Sequence, residues 1–114
     1  MSRRFRLTRR AENSLVDIAR WTIDTFGQGQ ADLYEKQLIA RCEAIVNGDA
    51  LSRDCSILAG GAAGLRYTRA GEHFLVFLDN SDEVIIVDIL HSRSDLPRHV
   101  AALGLLSGEG RRDD

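Results

Sequence analysis

The sequence predicts an α+β fold in which an N-terminal helical hairpin packs on one face of a small, mainly antiparallel β-sheet. Two helical patterns of apolar residues fill the first half of the 114-residue chain and are separated by a glycine. The second half contains short apolar runs divided by turn residues, as in a β-meander. We place a single domain at residues 1–106 and expect residues 107–114, which are small and charged, to form a disordered tail.

The N-terminal elements follow from alternation and then from helical spacing. Residues 3–7 alternate basic and apolar side chains, which predicts a short edge strand. Thr8 can cap the helix that follows, because its hydroxyl can accept a hydrogen bond from the first turn. Apolar residues then recur at threes and fours as far as Phe26, where Gly27 suits a left-handed cap. A second helix is expected to begin near residues 28–30 and to end at Asn47-Gly48.

The β-region begins after a glycine-rich stretch without periodicity at residues 48–64, which predicts a long irregular connection. Strands are expected at residues 65–68, 73–78 and 83–90. The last two are apolar on both faces, so both faces of the sheet should be covered. The helical hairpin can cover one face of the sheet. The other face must be covered by a short C-terminal helix at residues 96–106, by the long connection or by a partner. The buried residues should include Leu15, Ile18, Leu38, Cys42, Val76 and Ile86.

Composition excludes several classes of protein. A hydrophobic fraction of 44% with 28% charged residues is typical of a folded globular domain. No apolar run approaches the roughly 20 residues of a membrane span, and the basic N-terminus lacks the apolar core of a secretory signal, so we expect a cytoplasmic protein without membrane contact. Cys42 and Cys55 have no zinc-ligand spacing around them, so we expect two free thiols, no metal and no cofactor.

Basic and acidic residues are nearly equal in number, but the basic residues are almost all arginines. Among the 15 basic residues only Lys36 is a lysine, and arginine is the side chain of planar, bidentate contacts. Two groups of arginines stand out, at positions 3, 4, 6, 9 and 10 and at positions 66, 69, 93 and 98. The net charge of −2 nevertheless argues against a protein that holds RNA chiefly by neutralising its phosphates.

Several short sequences, in this order, resemble the ParE branch of the RelE/ParE superfamily of bacterial type II toxins. They are Phe26-Gly27 followed by Ala31 and Tyr34, then Gly64-Leu65-Arg66, and finally Leu90-His91-Ser92-Arg93-Ser94-Asp95. The resemblance covers roughly residues 3–100. It departs from the family after the second helix, where Asn47-Gly48-Asp49 replaces the usual proline-containing turn, and in the glycine-rich C-terminus.

The resemblance implies a toxin that poisons DNA gyrase and is neutralised by direct binding of a ParD-like antitoxin. A poison of this kind needs contact groups and no catalytic residues, and it meets DNA only through gyrase or the antitoxin complex. We assign target contacts to Arg66, His91 and Arg93. The antitoxin contacts that we expect are Arg3, Arg6, Arg10, Trp21 and Tyr34.

Two alternatives remain open from the sequence. A RelE-type ribosome-dependent mRNA endoribonuclease would use His91 as acid or base and Arg66 and Arg93 as phosphate clamps. Asp88 and His91 should, however, point to opposite faces of their strand, and no tyrosine follows Tyr67, so the ribonuclease is the second choice. A non-toxic module that only binds an antitoxin is the other alternative.

Overall fold

The computed structural model describes residues 3–54, 64–80, 82–93 and 98. It confirms the α+β fold, with two helices on a five-stranded sheet whose order is β1-β5-β4-β3-β2. The elements are β1 (Arg4–Leu7), α1 (Arg9–Phe26), α2 (Gln28–Asn47), β2 (Arg53–Asp54), β3 (Leu65–Ala70), β4 (His73–Asp79) and β5 (Glu83–His91). Among the strands that the structure describes, only β1 and β5 pair in parallel; the other neighbours are antiparallel. Within the described residues, no helix combines the length and apolar character needed to cross a membrane.

The helices begin and end at the capping residues that the sequence predicted, Thr8, Gly27 and Gly48. The Thr8 hydroxyl accepts from the Ala11 N–H at 3.1 Å, which satisfies a donor of the first turn of α1. Gly48 ends α2 in the left-handed region, at φ 78° and ψ 14°. Gly27 joins the helices at φ 94° and ψ 169°, a conformation open to glycine but different from the left-handed cap that we predicted.

The core confirms that the sheet is buried on both faces. The larger cluster joins the hairpin to one face and includes Leu38, Cys42 and Ile86, while Leu65, Val76 and Leu90 form a second cluster. The prediction for α1 was less accurate: Leu15 and Ile18 are only partly buried, although both pack against the larger cluster. The fully buried positions of α1 are the small residues Ala11 and Thr22.

The connection after α2 is more ordered than predicted. Arg53 and Asp54 form β2, which pairs with β3 opposite Tyr67 and Arg66. Two side chains of β3 tie this segment down: the Thr68 hydroxyl donates to the Leu51 carbonyl at 2.5 Å, and Arg66 binds Ser52. A strand of two residues has no period, so no pattern could predict it. Residues 55–63, including Cys55, and the predicted helix and tail after residue 93 lie outside the described residues, apart from Arg98.

A two-residue turn and a β-bulge in the meander position the residues around His73 and His91. Gly71 and Glu72 form a two-residue turn between β3 and β4, with Gly71 at φ 59°. In β5 the register shifts opposite Val76 and Phe77, so that Val87 is an extra residue, as in a β-bulge. Beyond the shift, His91 pairs with His73 at the end of the sheet that carries the turn.

Candidate interaction site

The three predicted target contacts do not form one cluster. Arg66 lies opposite Phe77 in the sheet, whereas His91 lies opposite His73, four positions away along β4. At about 3.3 Å per residue this separates them by roughly 13 Å along the strand. The Arg66 guanidinium is also engaged, since it donates to the Ser52 hydroxyl at 2.9 Å and to the Ser52 carbonyl at 3.2 Å. Arg66 therefore holds the connection to the sheet.

His91 and Arg93 instead share a groove with two residues that we assigned to antitoxin binding. The groove has a volume of about 360 Å³ and lies between the end of α1, the start of α2 and the β3–β4 turn. Trp21 and Tyr34 line it together with His91 and Arg93. The structure thus brings together four of the eight residues predicted to make contacts, from both predicted classes.

The outer rim of the groove is aromatic and exposed. Trp21 is 60% exposed and Phe26 is 64% exposed, and their rings meet edge to face with centroids 5.8 Å apart. The periodicity of α1 had placed Phe26 on the buried helix face, which is wrong, since Phe26 lies on the exposed rim. Large apolar side chains that remain this exposed are typical of contact surfaces.

The inner wall is rigid because the Tyr34 hydroxyl holds the β3–β4 turn. This hydroxyl accepts from the Glu72 N–H at 2.8 Å and lies 2.6 Å from His73 Nδ1. The turn approaches the Tyr34 ring closely at Gly71. Glycine is required there, since a Cβ at that position would come within 2.6 Å of the tyrosine ring. Burial raises the pKa of Tyr34 above its usual value. Tyr34 therefore contributes a ring to the groove while its hydroxyl has a structural role.

Two histidines face each other across β4 and β5. Their rings are 5.1 Å apart at 78°, and burial, followed by the neighbouring His91, lowers the pKa of His73 to about 4. His73 was absent from the sequence-predicted site. Its position directly after the glycine turn and the apolar run that follows it were the available signals, but these indicate only a strand start.

Asp88 does not orient His91. Its carboxylate accepts from the Ser14 hydroxyl at 2.6 Å and from the Ile89 N–H at 2.7 Å. His91 Nδ1 accepts from the backbone N–H of Arg93 at 3.0 Å, which leaves the proton of the neutral ring on Nε2. Each partner of a possible acid–base pair is thus bound elsewhere, in agreement with the opposite orientations inferred from the sequence.

The N-terminal arginines differ in their surroundings. Arg3 forms an ion pair with Asp79 and donates to the carbonyls of Asn80 and Val46, both at 2.9 Å. Arg6 donates to both oxygens of Glu83, at 2.9 and 3.2 Å. Arg10 is exposed on α1, and its guanidinium makes no hydrogen bond or ion pair with another residue of the described part of the chain. Of the three, Arg10 has the guanidinium most available to a partner.

The other candidates for chemistry in the described part of the chain are clusters of metal-ligating side chains and the thiol of Cys42. Among the described residues, no three His, Cys, Asp or Glu side chains are close enough together to hold a metal ion. Cys42 is buried in the core, and burial raises the pKa of its thiol to about 11, so it stays a protonated thiol. The groove offers aromatic surfaces, two imidazoles, a guanidinium and the carboxylate of Glu72, which are groups suited to contact.

Comparison with known proteins identifies the family. The family model that describes the ParE toxin of the type II toxin–antitoxin system parDE matches residues 5–96. The chain belongs to the ParE toxin family. The matched range contains every residue of the groove named above, so the groove is part of the ParE domain.

A solved structure has a similar fold. It is described as "Chromosomal ParDE TA system from P. aeruginosa" and is 17% identical in sequence, with a TM-score of 0.59. The match covers 80% of this ParE-family chain and 96% of the other. At this identity the likeness concerns the fold alone. A search of curated proteins found no match.

Proposed function

We propose that this protein is the toxin of a type II toxin–antitoxin pair in the bacterial cytoplasm, that a ParD-like antitoxin neutralises it by direct binding, and that it poisons DNA gyrase. The observation that carries the proposal is the ParE family match over residues 5–96. DNA is contacted only through gyrase or through the antitoxin complex.

The exposed surface of the hairpin supports a protein partner. Val16, Trp21, Ile23, Phe26 and Leu33 are between 39% and 64% exposed, all on the two helices. An antitoxin segment that laid an amphipathic helix on the hairpin would cover such side chains. The outer edge of β1 could add a strand from the same partner, since β1 is the terminal strand of the sheet.

The arrangement of the polar groups supports a poison over a nuclease. Cleavage of RNA requires a base, an acid and cationic groups around one phosphate. Here Arg66 is bound to Ser52, Asp88 to Ser14, and His91 Nδ1 to its own chain. His91 and Arg93 are therefore assigned to contact with the target.

The test is a short pulse of expression in bacteria, with two outputs followed in parallel: cleavage of mRNA in translating ribosomes and induction of the DNA-damage response. We expect DNA damage with intact mRNA, and in vitro a loss of gyrase supercoiling with accumulation of cleaved DNA. Co-expression of a ParD-like antitoxin should abolish both effects.

Other outcomes would select the alternatives. Rapid mRNA cleavage without DNA damage, abolished in a folded His91→Ala variant, would make the protein a RelE-type ribonuclease. Tight antitoxin binding with no growth arrest would make it a non-toxic antitoxin-binding module.

A further inference from the structure

A second groove lies at the β2 edge of the sheet and has a volume of about 680 Å³, against about 360 Å³ for the groove at His91. It is formed by α2, by the segment that follows α2 and by the strands β2, β3 and β4. The described residues that line it include three arginines, Arg41, Arg53 and Arg69, and one acidic residue, Asp49. We refer to it as the arginine groove.

Strand pairing alternates arginines and aromatic rings along one face of the sheet. Arg53 lies opposite Tyr67, and Arg69 lies opposite Phe74. Directly paired residues of antiparallel strands share a face, as do residues two apart on one strand, so all four side chains share a face. It is the face turned away from the helical hairpin, because Tyr67 and Phe74 pack against the second core cluster.

Two of the three guanidiniums are available to a ligand, and the third is held in position. Arg41 and Arg53 are exposed and make no hydrogen bond or ion pair with any other residue that the structure describes. The Arg69 Nε donates to the Gly71 carbonyl at 2.6 Å, and the Arg69 guanidinium lies 5.5 Å from the centroid of the Phe74 ring. The site therefore combines one oriented cation with two mobile ones.

The balance of charge at the arginine groove is positive. Asp49 is the one carboxylate among the described residues that line it, and Glu72, on the neighbouring turn, lies 3.9 Å from the Arg69 guanidinium. Even when both carboxylates are counted, three guanidiniums face two of them. The groove therefore selects an anionic ligand.

The combination of arginines and rings favours a nucleic acid strand over an acidic peptide. A strand carries a phosphate on every nucleotide, so neighbouring phosphates can meet several guanidiniums, whose planar forks match phosphate oxygens. Tyr67 and Phe74 are only partly buried, and aromatic rings between cations provide surfaces for bases. Three cations are too few to hold free DNA at physiological salt, so a strand binds here only when another protein presents it.

We propose that the arginine groove binds the backbone of one strand of the DNA that gyrase holds, with phosphates against Arg41, Arg53 and Arg69. The inference rests on the proposed function and deepens it. The toxin bridges gyrase and the DNA that gyrase presents, and this second contact stabilises the cleaved complex.

The variants Arg41→Glu and Arg53→Glu test the phosphate contacts. Purified gyrase and plasmid DNA are mixed with increasing amounts of the full-length toxin, and cleaved DNA is measured. Each variant should need at least about tenfold more toxin than the parent for half-maximal cleavage, because attraction to a phosphate becomes repulsion. Arg9→Glu is the matched control, since it makes the same change of charge at an exposed arginine outside the groove, and it should stay within about threefold of the parent. Circular dichroism verifies that all three variants are folded.

Binding to gyrase without DNA separates a DNA strand from an acidic protein segment. Labelled parent and variants are titrated with gyrase alone and with gyrase on a DNA fragment. We expect all of them to bind gyrase alone with similar affinity, and the two groove variants to lose the gain in affinity that DNA gives the parent. If the groove variants bind gyrase alone more weakly than the parent, the groove takes an acidic segment of gyrase and the inference is wrong. Weaker binding of a ParD-like antitoxin by both variants, with unchanged DNA cleavage, would assign the groove to the antitoxin and also overturn it.

A photochemical cross-link tests the position of the strand. DNA in which bromouracil replaces thymine is irradiated in its complex with gyrase and the toxin, and the cross-linked toxin peptides are identified. We expect links at Tyr67 or Phe74 in the parent and in Arg9→Glu, and none in Arg53→Glu. If the parent causes cleaved DNA to accumulate while no such link forms and both groove variants act as the parent does, the inference is wrong and the proposed function stands. If the parent causes no cleavage of DNA by gyrase, the proposed function fails as well.

Discussion

At the scale of single residues, Tyr34 shows how one side chain can combine packing with polar contacts. Its ring closes the groove and approaches Gly71, while its hydroxyl satisfies the Glu72 N–H and lies beside His73. The sequence analysis assigned Tyr34 to antitoxin contact on the basis of the ParE resemblance, of which Tyr34 is a part. The structural role of the hydroxyl could not be predicted, because it depends on a turn 38 residues away in the chain.

Replacement of Tyr34 by Phe should therefore destabilise the protein. The ring is retained, but the Glu72 N–H and His73 lose their shared partner, and we expect a loss of about 1–2 kcal/mol in the free energy of unfolding. Tyr67→Phe is the control: Tyr67 contacts the Phe74 ring edge to face at 5.6 Å, and that contact survives the change. Urea denaturation of both variants measures the difference. Equal stability of the two variants would contradict the role given to the Tyr34 hydroxyl.

His73 should make stability depend on pH. The groups around it are Tyr34, Glu72 and His91, and its pKa is lowered to about 4 by burial and by His91. The unfolded chain binds the proton at about pH 6.5 and the folded protein only near 4. The stabilisation by neutral His73 is therefore complete above about pH 6.5 and is lost as the pH falls towards 4, by at most about 1.4 kcal/mol per pH unit.

The variant His73→Gln isolates this effect, because glutamine cannot titrate but can still accept a hydrogen bond. Between pH 7 and pH 5 the parent should lose more unfolding free energy than His73→Gln does. Carboxylates contribute equally to both proteins and cancel in the comparison. An identical loss in the two proteins would show that His73 is not the titrating group.

At the scale of secondary-structure elements, the sequence predicted the helices and strands that show a regular spacing of apolar residues and end at a glycine or a turn residue. The two helices and the three long strands were found in order, since threes-and-fours spacing or alternation extends over their whole length. The strand β2 and the bulge at Val87 were missed, because both arise from pairing with another segment. The same reason explains the groove: Trp21, Tyr34 and Arg93 were assigned as contacts through the family resemblance, but only the tertiary fold shows that they meet.

The packing of α2 gives a direct test at this scale. Leu38 is 1% exposed in the larger cluster, whereas Leu33, on the same helix, is 58% exposed. Leu38→Ala should cost about 2–5 kcal/mol of stability because it removes buried methyl groups and leaves a cavity. Leu33→Ala should change stability by less than about 0.5 kcal/mol. Thermal unfolding of the pair checks the helix phase, and a reversed order would contradict it.

At the scale of the whole molecule, Arg3 joins three parts of the fold that are distant in the chain. Its guanidinium reaches Asp79 at the end of β4, the carbonyl of Asn80 in the following turn, and the carbonyl of Val46 near the end of α2. A cation near the C-terminus of a helix is favourable because the last carbonyls lack partners. Arg3 was predicted to contact the antitoxin, and its surroundings here are those of a structural residue.

Arg3→Ala should accordingly lower the free energy of unfolding by about 1–2 kcal/mol, since three acceptors lose a charged donor. The adjacent Arg4 is exposed, and Arg4→Ala should have almost no effect. Chemical denaturation compares the two variants, and antitoxin affinity measured on the same samples separates stability from contact. Weaker antitoxin binding of Arg3→Ala at unchanged stability would restore the predicted contact role.

The parallel pairing of β1 with β5 also governs when the protein can complete its fold. Arg4 pairs with Glu83 and Leu7 with Ile86, so β1, which is made before the other described strands, needs β5, which is made after them, as its neighbour. Contacts between such distant parts of a chain form slowly, because a long loop must close first. Until β5 has been made, the apolar side of the nascent helical hairpin lacks most of the sheet that it covers. A newly made copy should therefore expose the apolar side of its helices to chaperones until β5 has emerged, and it should complete its fold only then.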